Sequence, residues 1–106
     1  MAITSNPTIQ NGAVSTGLGI HSFLNLAEDS FTLVKATAGR ICTVNVVVAG
    51  SGVGVIWDSA TVGGRADANK VAIIPTGVGT YTFDFPCANG ILIGTGADQV
   101  VSVSFN

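Results

Sequence analysis

Thr80-Tyr81-Thr82-Phe83-Asp84-Phe85-Pro86-Cys87-Ala88-Asn89-Gly90-Ile91-Leu92-Ile93 is the stretch that decides the fold. Tyr81, Phe83 and Phe85 alternate with Thr80, Thr82 and Asp84. Successive side chains of a strand point to opposite faces, so the aromatics share one face and the polar groups the other. Pro86 lacks a backbone donor and is expected to close that strand. Asn89-Gly90 is a tight-turn pair, because both residue types tolerate positive φ. Ile91-Leu92-Ile93 then opens a second, wholly apolar strand. A half-buried strand, a turn and a buried strand imply a β domain whose remaining segments cover the aromatic face.

The same alternation runs through the chain from Phe31 onward. Phe31 to Thr37 places Phe31, Leu33 and Lys35 on one face, and Ala38-Gly39 turns the chain. Arg40 to Ala49 sets Cys42, Val44, Val46 and Val48 against Thr43, Asn45 and Val47. Val53 to Ser59 aligns Val53, Val55 and Trp57, Val71 to Pro75 is a short apolar strand, and Val100 to Phe105 sends Val101, Val103 and Phe105 inward. The expected core is Val44, Val46, Trp57, Tyr81, Phe83, Phe85, Val101, Val103 and Phe105. About seven short strands at intervals of roughly 8–12 residues, rich in Val, Ile, Thr and Phe, predict an all-β fold: a compact antiparallel β-sandwich. A jelly-roll-like arrangement is among the connectivities left open. Ala60 to Lys70 carries Gly63-Gly64 and much of the charge, which marks it as the main exposed loop.

Residues 1–30 differ from this pattern. They hold Asn-Pro, Asn-Gly and Gly17-Leu18-Gly19 with thinly spread apolar residues, and are expected to form an N-terminal arm ahead of a sandwich domain at 31–106. Ile20, Phe23, Leu24 and Leu26 make a denser patch, too short for periodicity to choose between a helical turn and a strand. Such an arm either tucks under its own domain or docks on a neighbouring subunit. In the second case Ile3, Ile9, Ile20, Phe23, Leu24 and Leu26 are the contact residues.

Composition narrows the function. At 106 residues the chain is one domain, 47% hydrophobic and only 9% charged. No apolar run approaches the roughly 18 residues needed to cross a bilayer, and no basic stretch followed by an apolar core announces a secretory leader. The net charge is −2, and Lys35, Arg40, Arg65 and Lys70 are scattered, so neither nucleic acid nor a membrane surface is an expected partner. A chain this apolar stays in solution most simply by burying surface against a partner. Cys42 and Cys87 sit in apolar settings; they could pair if their strands are neighbours, but without a secretory leader free, buried thiols are favoured.

Nothing in the chain builds a reaction centre. His21 is the only histidine, so a histidine-based catalytic or zinc site would need unusual partners within one chain, and a solvated or packed histidine is the expected reading. Asp58 and Asp84 are the best carboxylate candidates, yet alternation puts Asp84 on an outward face. Gly50-Ser51-Gly52-Val53-Gly54 lacks dinucleotide-loop spacing and is read as a hairpin turn. Asp58, Asp67 and Asn69 do not follow a calcium-loop pattern. Trp57 with Tyr81 suggests a sugar platform, but Trp57 shares a face with Val53 and Val55, which favours packing. The chain is expected to be no enzyme, with no cofactor and no metal.

Several segments taken together carry a resemblance: Gly39-Arg40-Ile41, Ile56-Trp57-Asp58-Ser59-Ala60, Val71-Ala72-Ile73-Ile74-Pro75, Phe85-Pro86-Cys87-Ala88-Asn89-Gly90-Ile91 and Val101-Ser102-Val103-Ser104-Phe105. From about Leu33 to Asn106 the chain resembles small β-sandwich virion proteins of tailed bacteriophages, the capsid decoration or cement proteins. Relatives often carry tyrosine where Trp57 stands. The resemblance implies a structural protein on the outer capsid surface that self-associates as a dimer or trimer and braces the major capsid protein. The alternative is a receptor- or glycan-binding module of a head fibre, spike or tail, with the Ala60 to Lys70 loop as its reader.

Overall fold

The computed structural model describes residues 19–106. They form eight strands: β1 His21–Leu26, β2 Phe31–Lys35, β3 Gly39–Val48, β4 Gly54–Asp58, β5 Lys70–Ile74, β6 Gly79–Cys87, β7 Ile91–Gly94 and β8 Val100–Phe105. Short 3₁₀ turns at Val62–Gly64 and Asp67–Asn69 lie between β4 and β5. Two four-stranded antiparallel sheets result, ordered β1-β8-β3-β6 and β2-β7-β4-β5. The pairs β1–β8, β2–β7, β3–β6 and β4–β5 are nested in the sequence and alternate between the sheets. That is a double-stranded ribbon rolled up on itself, the jelly roll.

The first strand revises the expected domain boundary. His21–Leu26 pairs with β8, His21 opposite Phe105 and Phe23 opposite Val103, so the sandwich begins before residue 31. The apolar patch at 20–26 is a strand because sheet pairing decided what a six-residue pattern could not. Ile3 and Ile9 lie outside the described residues.

The core between the sheets is aliphatic. Ile41, Val44, Val46 and Val101 from one sheet meet Val34, Ile56, Ile91 and Ile93 from the other, all buried. The aromatic stretch that signals the fold lies at the flank, because β6 is an edge strand. Tyr81 and Phe83 are half-buried against the core, whereas Phe85, expected inside, is 46% exposed. An irregularity opposite Ile41–Thr43 contributes: two residues of β6 face one of β3, with Asp84 in the left-handed region at φ 48°. The strand also continues through Pro86 to Cys87, beyond its expected end. An edge strand has no ladder bond for proline to remove on its open side. The other positive-φ residues besides glycine are Asn25, Asp29 and Asp98, again the types that tolerate this conformation.

Two loops expected to close hairpins instead carry the chain between sheets. Residues 49–53 join β3 to β4, and 88–90 join β6 to β7. Neither Asn89 nor Gly90 takes positive φ. Gly90 is required for another reason: a Cβ there would lie 2.4 Å from the Ser59 carbonyl oxygen and 2.6 Å from that of Lys35. At the opposite end of the sandwich, the fully buried Gln99 ties its own loop to the one that follows β5. Its Oε1 accepts from Gly96 N at 3.1 Å and its Nε2 donates to the Pro75 carbonyl at 2.8 Å.

Candidate interaction surface

The outer faces of the two sheets differ in chemistry. On β1-β8-β3-β6 the outward row is Ser22, Ser104, Thr43 and Thr82, followed by Ser102, Asn45 and Thr80. Thr43 and Ser104 hydrogen-bond through their hydroxyls at 2.5 Å, a cross-strand pairing that holds β3 to β8. On β2-β7-β4-β5 the outward rows are apolar: Phe31, Gly94, Val55 and Ile73 lie side by side across four strands, with Leu33, Leu92 and Trp57 in the next row.

Half of this apolar face is covered by the chain itself. Leu92 is fully buried and Trp57 nearly so, although both point away from the central core. The ring of Phe31 packs on that of Trp57 at 5.8 Å between centroids, and the Arg65 guanidinium lies 3.9 Å above the Phe31 ring centroid. Trp57 is thus a packing residue, but in a second, smaller apolar cluster outside the sandwich. Asn69 staples the covering loop: its Nδ2 donates to the Asp58 and Gly64 carbonyls at 3.1 and 3.0 Å, and its Oδ1 accepts from Ala66 N at 2.8 Å. The main loop, which the alternative reading takes as its reader, is exposed as expected but is fastened back to this sheet through Arg65 and Asn69. Beyond its reach, Ile73 and Val53 remain about half exposed.

The carboxylates have structural partners. Asp58 accepts backbone N–H bonds from Ala88, Asn89 and Gly90 at 3.0, 2.8 and 3.3 Å, capping the 88–90 turn. Partial burial pushes its carboxyl up, but these three amides and the Asn89 side chain outweigh that and hold it below the usual carboxylate range. Asp84 pairs with Arg40 at 3.1 Å and Asp67 with Lys70 at 3.1 Å. Among the described residues no cluster of His, Cys, Asp or Glu is arranged to hold a metal ion. His21 lies on β1 with its ring against Phe105, 5.5 Å between centroids. Cys42 and Cys87 are free and buried, with burial pushing the Cys42 thiol up and the Cys87 thiol up to about 11.

The contact residues expected from the sequence divide in two. Ile20, Phe23 and Leu24 are 61%, 41% and 67% exposed along β1. Leu26 is only 3% exposed, because it faces inward opposite Val101, and it is not available to a partner. The apolar row ending at Ile73 was not singled out in the sequence as a surface, since its period matches that of a core strand. A charge map was the available signal. Every charged residue lies in a loop, in the β6 irregularity or in the two end positions of a strand, which leaves both outer faces uncharged over their central rows.

No protein-family model matches this chain, and no curated protein or solved structure matches it either.

Proposed function

We propose that this chain is a structural virion protein, a decoration or cement protein that binds the outside of a tailed-bacteriophage capsid and stabilises it by contact with the major capsid protein. The observation that carries the reading is the uncovered half of the β2-β7-β4-β5 face, where Val55 and Ile73 extend an uncharged apolar row to the sheet edge. Exposed apolar rows of this kind mark contacts with other proteins. The segment resemblance from about Leu33 to Asn106 supplies the class of partner. The stapled 59–69 loop favours a surface that lies flat on a shell over one that reaches out to a receptor.

The test is co-sedimentation with shells stripped of this protein. Native chain is expected at tens to hundreds of copies per particle, in fixed ratio to the major capsid protein. Ile73→Lys sits on an exposed position and leaves the central core untouched, so it is expected to keep the native melting temperature while losing at least tenfold in shell affinity. Undiminished binding by a folded Ile73→Lys variant refutes the assigned face. A native chain present in only a few copies refutes the cement role.

A further inference from the structure

A sandwich of two open sheets has four edge strands, and an open edge invites pairing with another chain unless something blocks it. Three of the four edges here are blunted. β6 carries Pro86 and the Asp84 irregularity with its Arg40 ion pair. β2 is five residues long and ends in Lys35. β5 opens with Lys70 and runs on through a short turn into β6. β1 shares only the irregularity, at Leu24-Asn25: it reads His-Ser-Phe-Leu-Asn-Leu, without lysine, acid or proline, and its open side has no partner among the described residues. The irregularity leaves His21 to Phe23 in regular register with β8, and Ile20 N donates to Asn106 Oδ1 just ahead of them. The side chains that flank the open edge, Ile20, Phe23 and Leu24, are the exposed apolar ones.

We infer that β1 is a self-pairing edge: two copies of this chain join their His21–Leu26 strands antiparallel about a two-fold axis, fusing two four-stranded sheets into one of eight. Antiparallel self-pairing is isologous, so each copy gives and receives the same contacts, and an uncharged strand meets no like charge in its own copy. Ile20, Phe23 and Leu24 then bury one another across the axis, and the hydroxyl-lined outer faces of the two sheets become continuous. The competing occupant is the copy's own residues 1–18. These hold Pro7, Gly12 and Gly17, and the run nearest β1 free of proline and glycine is Ala13 to Thr16, shorter than β1 itself. That composition makes them the poorer strand partner. The inference deepens the reading of an assembly protein and adds the surface through which it self-associates.

The experiment is sedimentation velocity and amide hydrogen exchange on the full chain, from low to high micromolar, with Leu24→Lys and Ser22→Lys. Both substitutions place the natural edge-blocking residue at exposed positions and are expected to leave the melting temperature unchanged. A reversible dimer, with protection at residues 20–24 that rises with protein concentration and dimer affinity falling at least tenfold in both variants, supports self-pairing. Three outcomes overturn it: a monomer throughout the range, a dimer that both variants leave intact, or protection at 20–24 that does not depend on concentration, which would mean that the chain's own segment covers the edge. Shell binding reports separately on the proposed function. A monomer that still coats shells overturns the self-pairing alone, and a β1-paired dimer that ignores shells overturns the capsid role alone.

Discussion

Removing the Asp58 carboxylate should loosen the joint between the two sheets where the chain crosses from β6 to β7. The carboxylate accepts from three consecutive amides, and two of those bonds, at 2.8 and 3.0 Å, have ordinary strong geometry. The third, at 3.3 Å, adds little. The site is only partly enclosed, so water replaces some of what is lost, and about 1 kcal/mol for each strong bond is the appropriate scale. Asp58→Ala is therefore expected to cost ~2 kcal/mol, or about 8–16 °C in melting temperature for a domain of this size. Asp58→Asn keeps an acceptor but loses the charge and should cost about half as much. The pH dependence has a definite sign. A carboxyl held below its unfolded-state value contributes stability that is complete above roughly pH 4 and is lost as pH falls through the folded-state value. Urea unfolding from pH 7 downward should show the native midpoint falling at the acid end, with a smaller fall in Asp58→Asn. If Asp58→Ala unfolds at the native midpoint at pH 7, or if both proteins share one acid profile, the capping role is refuted.

Two further outcomes test the packing. Gln99→Leu leaves the buried Gly96 amide and the partly buried Pro75 carbonyl without their partner, and should cost about 2–3 kcal/mol by urea denaturation. A loss under about 1 kcal/mol would mean that the two loops hold without that amide. Phe83→Ala and Phe85→Ala separate the two flanking aromatics: about 2–3 kcal/mol is expected for half-buried Phe83 and under about 1 kcal/mol for exposed Phe85. Equal costs would contradict the assigned exposures.

Alternation made the strands from Phe31 onward legible, because burial of one face imposes a period of two that survives local irregularities. Val44, Val46, Val101 and Val103 could be placed inside on that ground, and they are buried. Alternation says nothing about which face is inside when both are apolar, so Trp57 and Leu92 were legible as buried but not as members of an outer cluster. It also counts straight through Asp84, where one extra residue breaks the count and Phe85 ends at an open edge. An acid among aromatics, of a type that tolerates the left-handed region, was the local sign of that break. Asp58 and Gln99 left no comparable sign. Their partners are brought to them by the roll of the ribbon, Asp58 reaching amides some thirty residues downstream. The candidate surface was legible only in part: β1 stood out as apolar, but its place as an unguarded edge depends on the sheet order, which no single strand encodes.

The position of β8 has a consequence for how the molecule comes to be folded. It is the last of the eight strands among the described residues, yet it lies between β1 and β3, so until it arrives β1 lacks the strand it pairs with and β3 is held only by β6. Until then the polypeptide presents two unsatisfied ribbons of backbone, and joining His21 to Phe105 means closing nearly the whole length into a loop. Assembly should therefore be slow and all-or-none, with half-made chains prone to clumping at the moment when β1 has no internal neighbour.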